Sequence, residues 1–195
     1  MNKKVNEITS GQPEENNPKE KLALRDKDLL LREAVVADAR QLTDWWNDGQ
    51  VMEHAGFPKG LNTTLEETQT LLENADPQKM VRLIIEVDGV SVGECSFRII
   101  GRQAEIGIKL CAVEYQNRGY GTRALRLMIG QIFANDQIEK IVLDTNIDNK
   151  RSQHVYHSLG FKKVATRYDA WQDQLGRWQT AVDFELTRED WYARN

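Results

Sequence analysis

The chain has 195 residues and a formal net charge of −4 at pH 7. That length suits one domain with a sizeable core, and the negative balance argues against nucleic acid, whose phosphates want a basic face. No apolar run approaches the roughly 18 residues of a helical membrane span, so neither partner class is expected.

In chain order, Met1 to Lys27 is polar and nearly charge-balanced. Such a segment cannot bury enough apolar surface to offset its ordering entropy. The sequence therefore predicts a flexible tail over 1–27 and one domain over 28–195. The opening MNKKVNEITSGQ has basic residues but no apolar stretch of a secretion signal, so a cytoplasmic protein is expected. Leu29 to Ala34 reads as a first strand. Val36 to Trp46 reads as a helix, with Ala39, Leu42, Trp45 and Trp46 at helical intervals, and Asn47-Asp48-Gly49 ends it. His54 to Asn62 is loop-like. Thr64 and Glu67 have capping-box spacing at the front of a second helix, which Pro77 stops.

A run of strands follows. Val81 to Val87 and Val90 to Ile100 flank the hairpin signal Asp88-Gly89, and Gln103 to Cys111 returns after Gly101-Arg102. A helix is predicted from Gly119 to about Asn135, with Leu125, Met128, Ile129 and Ile132 on one face. Ile141 to Thr145 is a buried strand, and Asn149 to Leu159 a short helix closed by Gly160. Lys162 to Trp171 and Trp178 to Leu186 form a last hairpin. The order is β-α-α-β-β-β-α-β-α-β-β. The strand–helix–strand step over 103–145 requires one parallel pair with a right-handed crossover, so the fold class is α+β with a mixed sheet. Cys95 and Cys111 sit in apolar strand runs; two buried thiols in a reducing compartment are expected rather than a disulfide.

Gln116-Asn117-Arg118-Gly119-Tyr120-Gly121-Thr122 lies between a strand and a helix. A helix start offers free N–H groups and a partial positive charge. Gly119 and Gly121 let the backbone approach a ligand, and Arg118 adds a full charge. The segment reads as an anion site or as a plain turn with a glycine cap. It is no P-loop, since no GK[ST] follows, and it lacks the third glycine and distant acidic residue of a dinucleotide fingerprint.

The Q-x-x-G-x-G spacing of Gln116, Gly119 and Gly121 resembles the acetyl-CoA pyrophosphate loop of the GCN5-related N-acetyltransferases (GNAT). The preceding AEIGIKLC puts Glu105 where histone-type members carry a base. Downstream, N-x-x-S-x-x-x-Y-x-x-x-G-F (Asn149, Ser152, Tyr156, Gly160, Phe161) resembles the second signature of the family. The opening LREAVVADARQLTDWWNDGQVM is similar to the ribosomal-protein-acetyltransferase-like branch. The likeness spans about Leu29 to Leu186. Ser152 stands where Ala is frequent and Val113 where Pro is frequent, both small departures.

This resemblance implies flanking helices on a mostly antiparallel sheet whose central parallel pair splays apart. It implies acetyl-CoA as co-substrate. Backbone amides of Arg118 to Thr122, with Gln116 and Asn117, would hold the pyrophosphate. Lys109, Leu110 and Cys111 would pair with the pantetheine arm as an added strand does. An alkylammonium must lose a proton before attack. Glu105 is the first candidate base and Asp144, at the end of IVLD, the second; either also reads as a solvated strand-end carboxylate. A backbone N–H near Cys111 would stabilise the oxyanion. Tyr156 would give a proton to the leaving thiolate, although by spacing alone it is a core tyrosine. Asn149 and Ser152 would meet the pantetheine, and Asn149 is also a good helix cap. His154 and His157 read as surface residues, and no metal is expected. Of Trp45, Trp46, Trp171 and Trp178, at most one is expected to line an acceptor site.

The expected activity is direct transfer of an acetyl group to a primary amine of a small molecule or a protein N-terminus. The competing reading is a catalytically silent acyl-CoA-binding or regulatory module of the same fold. Acceptor determinants are expected in the loop after Trp46 and in the Tyr168–Trp178 hairpin. An open sheet edge could pair two chains into a homodimer.

Overall fold

The computed structural model describes residues 21–194. Eight strands form one sheet: β1 (Ala23–Asp26), β2 (Leu29–Glu33), β3 (Val81–Val87), β4 (Val90–Ile100), β5 (Gln103–Leu110), β6 (Lys140–Asn146), β7 (Lys162–Gln172) and β8 (Trp178–Thr187). Their spatial order is β1-β2-β3-β4-β5-β6-β8-β7. The helices are α1 (Ala39–Asn47), α2 (Gly49–Met52), α3 (Leu65–Glu73), α4 (Tyr120–Phe133), α5 (Lys150–Leu159) and α6 (Arg188–Tyr192).

The two faces of the sheet have different cores. One buries Leu29, Leu31, Leu83, Ile85, Ala104, Ile106, Ile141 and Leu143 against α4, α5 and Trp191 of α6. The other buries Ile84 and Cys111 against Leu42, Trp45 and Trp46 of α1 and Leu72 of α3. The alternation of each strand separates the two sets. Helix α4 lies against the first face because Leu125, Met128, Ile129, Ile132 and Phe133 fall on one stripe, all nearly inaccessible. Their burial contributes roughly 10 kcal/mol before entropy is counted.

Three elements escape the sequence pattern. Of the tail expected over 1–27, residues 1–20 lie outside the described residues, and 23–26 form β1 instead. Four residues with no strong β-formers carry little signal, but β1 pairs along β2 through a turn at Lys27, φ 54. Arg123 of α4 then clamps that turn, meeting Asp26 and Asp28 at 2.7 Å each. Helix α2 holds four residues and α6 five, too few for a periodic pattern. The helix expected from Val36 starts as a 3-10 turn and becomes α-helical at Ala39.

One pair of neighbouring strands is parallel among the described residues, β5 with β6. Its ladder stops after Gln103↔Lys140, Ala104↔Ile141 and Glu105↔Val142. Strand β5 continues to Leu110 on β4, and β6 continues to Asn146 on β8. Each strand thus follows its outer neighbour, and a wedge opens between them from Ile106 and Leu143 onward.

Candidate active site

A cavity of about 840 Å³ fills this wedge, near the upper end of the range for small-molecule sites. Leu125, Ser152 and Tyr156 line it from the α4–α5 face. Gln50, Val51, His54, Ala55 and Trp171 line it as well. Helix α2 directly extends the α1 layer, so these residues close the cavity on the opposite side. The opening therefore passes through the sheet. Strand alternation puts Ile106 and Leu143 in the α4–α5 core, so Glu105, Lys109 and Asp144 project toward the α1–α2 side.

At the α4 end, Gly119 caps the helix with φ 83, a left-handed conformation that disfavours any side chain. No side chain caps this helix and no acidic residue occupies its first turn. Helix α3 is the contrast: Thr64 and Glu67 close a capping box, and Glu66 and Glu67 sit in its first turn. The first amides of α4 thus keep their donors and partial positive charge facing the cavity mouth, where Asn117, Gly119, Gly121 and Thr122 lie.

Along β5 the backbone groups alternate between β4 and the wedge. Cys111 donates its N–H to Val92 O at 2.9 Å, so its amide faces β4. By alternation so does that of Lys109. Leu110 faces the other way, and its carbonyl accepts from Gln116 Nε2 at 2.8 Å. The unpaired edge is therefore the backbone of Ile108 and the N–H of Leu110. This corrects the expectation for Cys111, whose committed amide is no free oxyanion donor and whose thiol is buried beneath α1. The Lys109 ammonium is also committed, to Glu94 at 3.1 Å. Glu94, only 2% exposed, further accepts from Trp46 Nε1 at 2.7 Å and pairs with Arg82. Burial opposes its charge, but Lys109 and Arg82 hold its carboxyl below the ordinary range.

Other expected residues serve the frame. Gln116 bridges the Leu110 carbonyl to Arg151 of α5. Tyr120 turns away and donates its hydroxyl to Asp28 Oδ2 at 3.1 Å, leaving only its backbone near the mouth. Arg118 is exposed and off the cavity lining. Asn149 Oδ1 accepts from Ser152 N at 3.1 Å as the α5 cap.

Tyr156 is 6% exposed and packs against Phe161 and Phe184 at 5.9 and 5.6 Å. Burial pushes its pKa up to about 12, although a hydrogen bond with Ser152 pulls the other way. Burial acts on the Cys111 thiol, one residue past the wedge, in the same sense, up to about 12. Glu105 stands at the last ladder pair, and both of its bonds from Arg98, at 2.7 and 3.1 Å, fall on Oε2. Asp144 has one long contact, 3.4 Å to Arg167. Burial raises its pKa; Arg167 opposes this, and the negative charges of Asp183 and Glu105 add to it.

Of the residues singled out from sequence, Glu105, Lys109, Leu110, Gln116, Asn117, Gly119, Gly121, Thr122, Asp144, Asn149, Ser152 and Tyr156 line one cavity; Cys111, Arg118 and Tyr120 do not. Gln50, Val51, His54 and Ala55 fall in the stretch after Trp46 where acceptor determinants are expected, although the sequence singled out none of them individually. Sequence reasoning missed Arg151, whose signal was its place between Asn149 and Ser152 of the downstream motif. Of the four tryptophans considered, Trp171 lines the cavity, Trp45 and Trp46 are buried in the α1 core, and Trp178 is exposed. His157 packs edge-on against Phe184 at 5.2 Å.

Residues 28–162 match the family described as acetyltransferase (GNAT) domain. A spermidine N(1)-acetyltransferase of Escherichia coli K12 is 28% identical over 136 residues, 68% of this chain and 72% of that protein. Among solved structures, spermidine N-acetyltransferase from Vibrio cholerae in complex with CoA and spermine superposes with a TM-score of 0.76 at 18% identity, covering 86% of this chain and 99% of that one. The ribosomal L7/L12 alpha-N-protein acetyltransferase RimL in complex with coenzyme A gives 0.76 at 18% identity, covering 85% and 98%. At these identities the two structures are alike in fold.

Proposed function

Since the chain belongs to the acetyltransferase (GNAT) domain family, we propose that it transfers an acetyl group from acetyl-CoA directly to a primary amine. The single observation that carries this reading is the wedge between β5 and β6. It joins an uncapped helix start on one side of the sheet to two carboxylates on the other.

The residues present fit the co-substrate. The α4 amides from Tyr120 to Thr122 hold the diphosphate, as helix starts hold anions. The edge of β5 at Ile108 and Leu110 pairs with the amides of the pantetheine arm. A gap-facing amide of β5, rather than that of Cys111, serves the developing oxyanion. When bound, the thioester supplies the acyl group; the chain supplies orientation, dryness and proton handling.

An ordinary alkylammonium with a pKa near ~10 must be deprotonated first. Asp144 is the base in this reading, and Glu105 yields first place to it. One 3.4 Å contact leaves Asp144 freer than the doubly bonded Glu105, and burial makes it more basic than an ordinary aspartate. Tyr156 donates to the departing sulfur. Against a solvated thiol of pKa ~8.5, a phenol at about 12 would keep its proton. Desolvation in the filled wedge raises a thiol as well and narrows that gap.

For the acceptor we take a small amine carrying further positive charge, over a peptide N-terminus. Glu105 and Asp144 line the acceptor side while their arginine partners, Arg98 and Arg167, stand off the lining, and Lys109 is paired with Glu94. Trp171 adds an aromatic wall of the kind that attracts cations. The named relative acts on spermidine, which agrees with this choice.

The test is thiol release from acetyl-CoA across linear polyamines, aminoglycosides and peptides with free N-termini. Polyamines should turn over fastest. Asp144→Asn should lower kcat/KM by about 10²-fold or more, and Glu105→Gln by less. No turnover with any amine would sink the assignment, and faster turnover of the peptides would overturn the acceptor class.

A further inference from the structure

The acceptor side is closed by two segments far apart in sequence. Between Met52 and Leu61 no apolar side chain is buried; the buried residues are Gly56 and Gly60. Hydrophobic packing therefore does little to set where His54 and Ala55 stand. Instead the tip of the β7–β8 hairpin holds this loop. Gln174 donates its backbone N–H to Gly56 O at 2.8 Å. Its side-chain Oε1 accepts from Lys59 N and its Nε2 donates to Gly60 O, each at 2.9 Å. The Trp171 ring lies where a Gly56 side chain would be: a Cβ there would fall 2.4 Å from it.

The tip that carries Gln174 is itself rigid. The Asp173 carboxylate accepts from the amides of Leu175 and Arg177, at 2.8 and 2.9 Å. It also accepts from the side chains of Arg177 and Gln179, at 2.7 and 2.9 Å. Gln179 Oε1 in turn accepts from Asn146 Nδ2 at 2.7 Å, and Asn146 lines the wedge at the end of β6. A continuous chain of hydrogen bonds thus runs from the diverging strand to the loop over the acceptor.

We propose that Gln174 is a positioning residue for the acceptor amine. It clasps the loop over 56–60 and thereby sets His54 and Ala55 opposite Trp171. Gln174 itself is exposed and off the cavity lining, so it acts through the loop. The α4–α5 side, which receives the coenzyme, does not depend on it. This inference rests on the acetyl-transfer reading above.

The test is Gln174→Met, which keeps the length of the side chain and removes both of its hydrogen bonds. Two measurements are made on the full-length protein. In steady-state kinetics with the best amine of the panel, the acceptor KM should rise about tenfold, the expected effect of losing two ordinary hydrogen bonds from a wall. The KM for acetyl-CoA and kcat should stay at the parent values. In hydrogen exchange, the amides of Lys59 to Leu61 should open faster in the variant while those of α4 stay unchanged. An unchanged acceptor KM, or equal losses toward acceptor and acetyl-CoA, would overturn the proposal. If the parent protein turns over no amine, the acetyl-transfer reading fails by itself. Exchange then decides the clasp, and equal exchange in parent and variant refutes it.

Discussion

Tyr156 keeps its proton because its surroundings cannot solvate a phenolate. Phe161, Phe184 and the sheet shut out water, and the pKa moves up to about 12 from an ordinary value near 10. A group whose folded pKa lies above its unfolded one stabilises the fold in full below pH 10, and that contribution is lost as pH rises toward 12. Catalytically the donor keeps its proton, and so stays neutral, throughout neutral pH, and the phenol places no alkaline limb below pH 10. Tyr156→Phe should lower kcat by about 10²-fold. Coenzyme A affinity, measured by calorimetry, should stay at the parent value. Loss of coenzyme binding in that variant would return Tyr156 to the role of a core residue. The raised pKa of Asp144 predicts an acid limb above that of an ordinary aspartate, which Asp144→Asn should remove.

At the scale of elements, the turn into α4 decides whether the helix start faces the cavity. Asn117 at φ 60 and Gly119 at φ 83 bend the chain twice within three residues. A Cβ at Gly119 would meet nothing within 4 Å, so Gly119→Ala suffers from backbone strain alone. That strain costs about 1–2 kcal/mol for a left-handed residue. The variant should remain folded, with a lower melting temperature and weaker coenzyme A binding, both read in one thermal-shift titration. The other end of the device is also elemental. Arg123 and Tyr120, one turn of α4, grip Asp26 and Asp28 and so tie the helix start to the β1–β2 turn.

At the scale of the molecule, the sheet is built so that its two halves part. Strand β5 belongs to the half formed by β1 to β4, and β6 to the half formed with β8 and β7. Three residue pairs join them. Open backbone at Ile108 and Leu110 should therefore exchange its amide hydrogens quickly, while the amides of Lys109 and Cys111 are held by β4. Saturating coenzyme A should slow Ile108 and Leu110 specifically, as an added strand would. Slow exchange at both without ligand would mean that the wedge is closed in solution.

Most elements were marked in the sequence, α4 by a single buried stripe and the β3–β5 meander by apolar runs set between the turn signals Asp88-Gly89 and Gly101-Arg102. The strand–helix–strand step over 103–145 demanded a parallel pair by chain geometry alone. The motif around Gln116 to Thr122 and the one from Asn149 to Phe161 pointed to eight residues that share one cavity, and the strands AEIGIKLC and IVLD added Glu105, Lys109, Leu110 and Asp144. What the sequence could not decide was direction and commitment. Whether Cys111 offers its amide to the wedge or to Val92 depends on the phase of one ladder, and no residue type encodes that phase. Tyr120 and Gln116 spend their side chains on partners 92 and 6 residues away. The acceptor wall is the clearest case: His54, Trp171 and Gln174 meet only because a hairpin tip bonds to a loop 115 residues earlier. Local pattern records what a segment buries along its own length; contacts between exposed, irregular segments arise only when the finished sheet sets their distance.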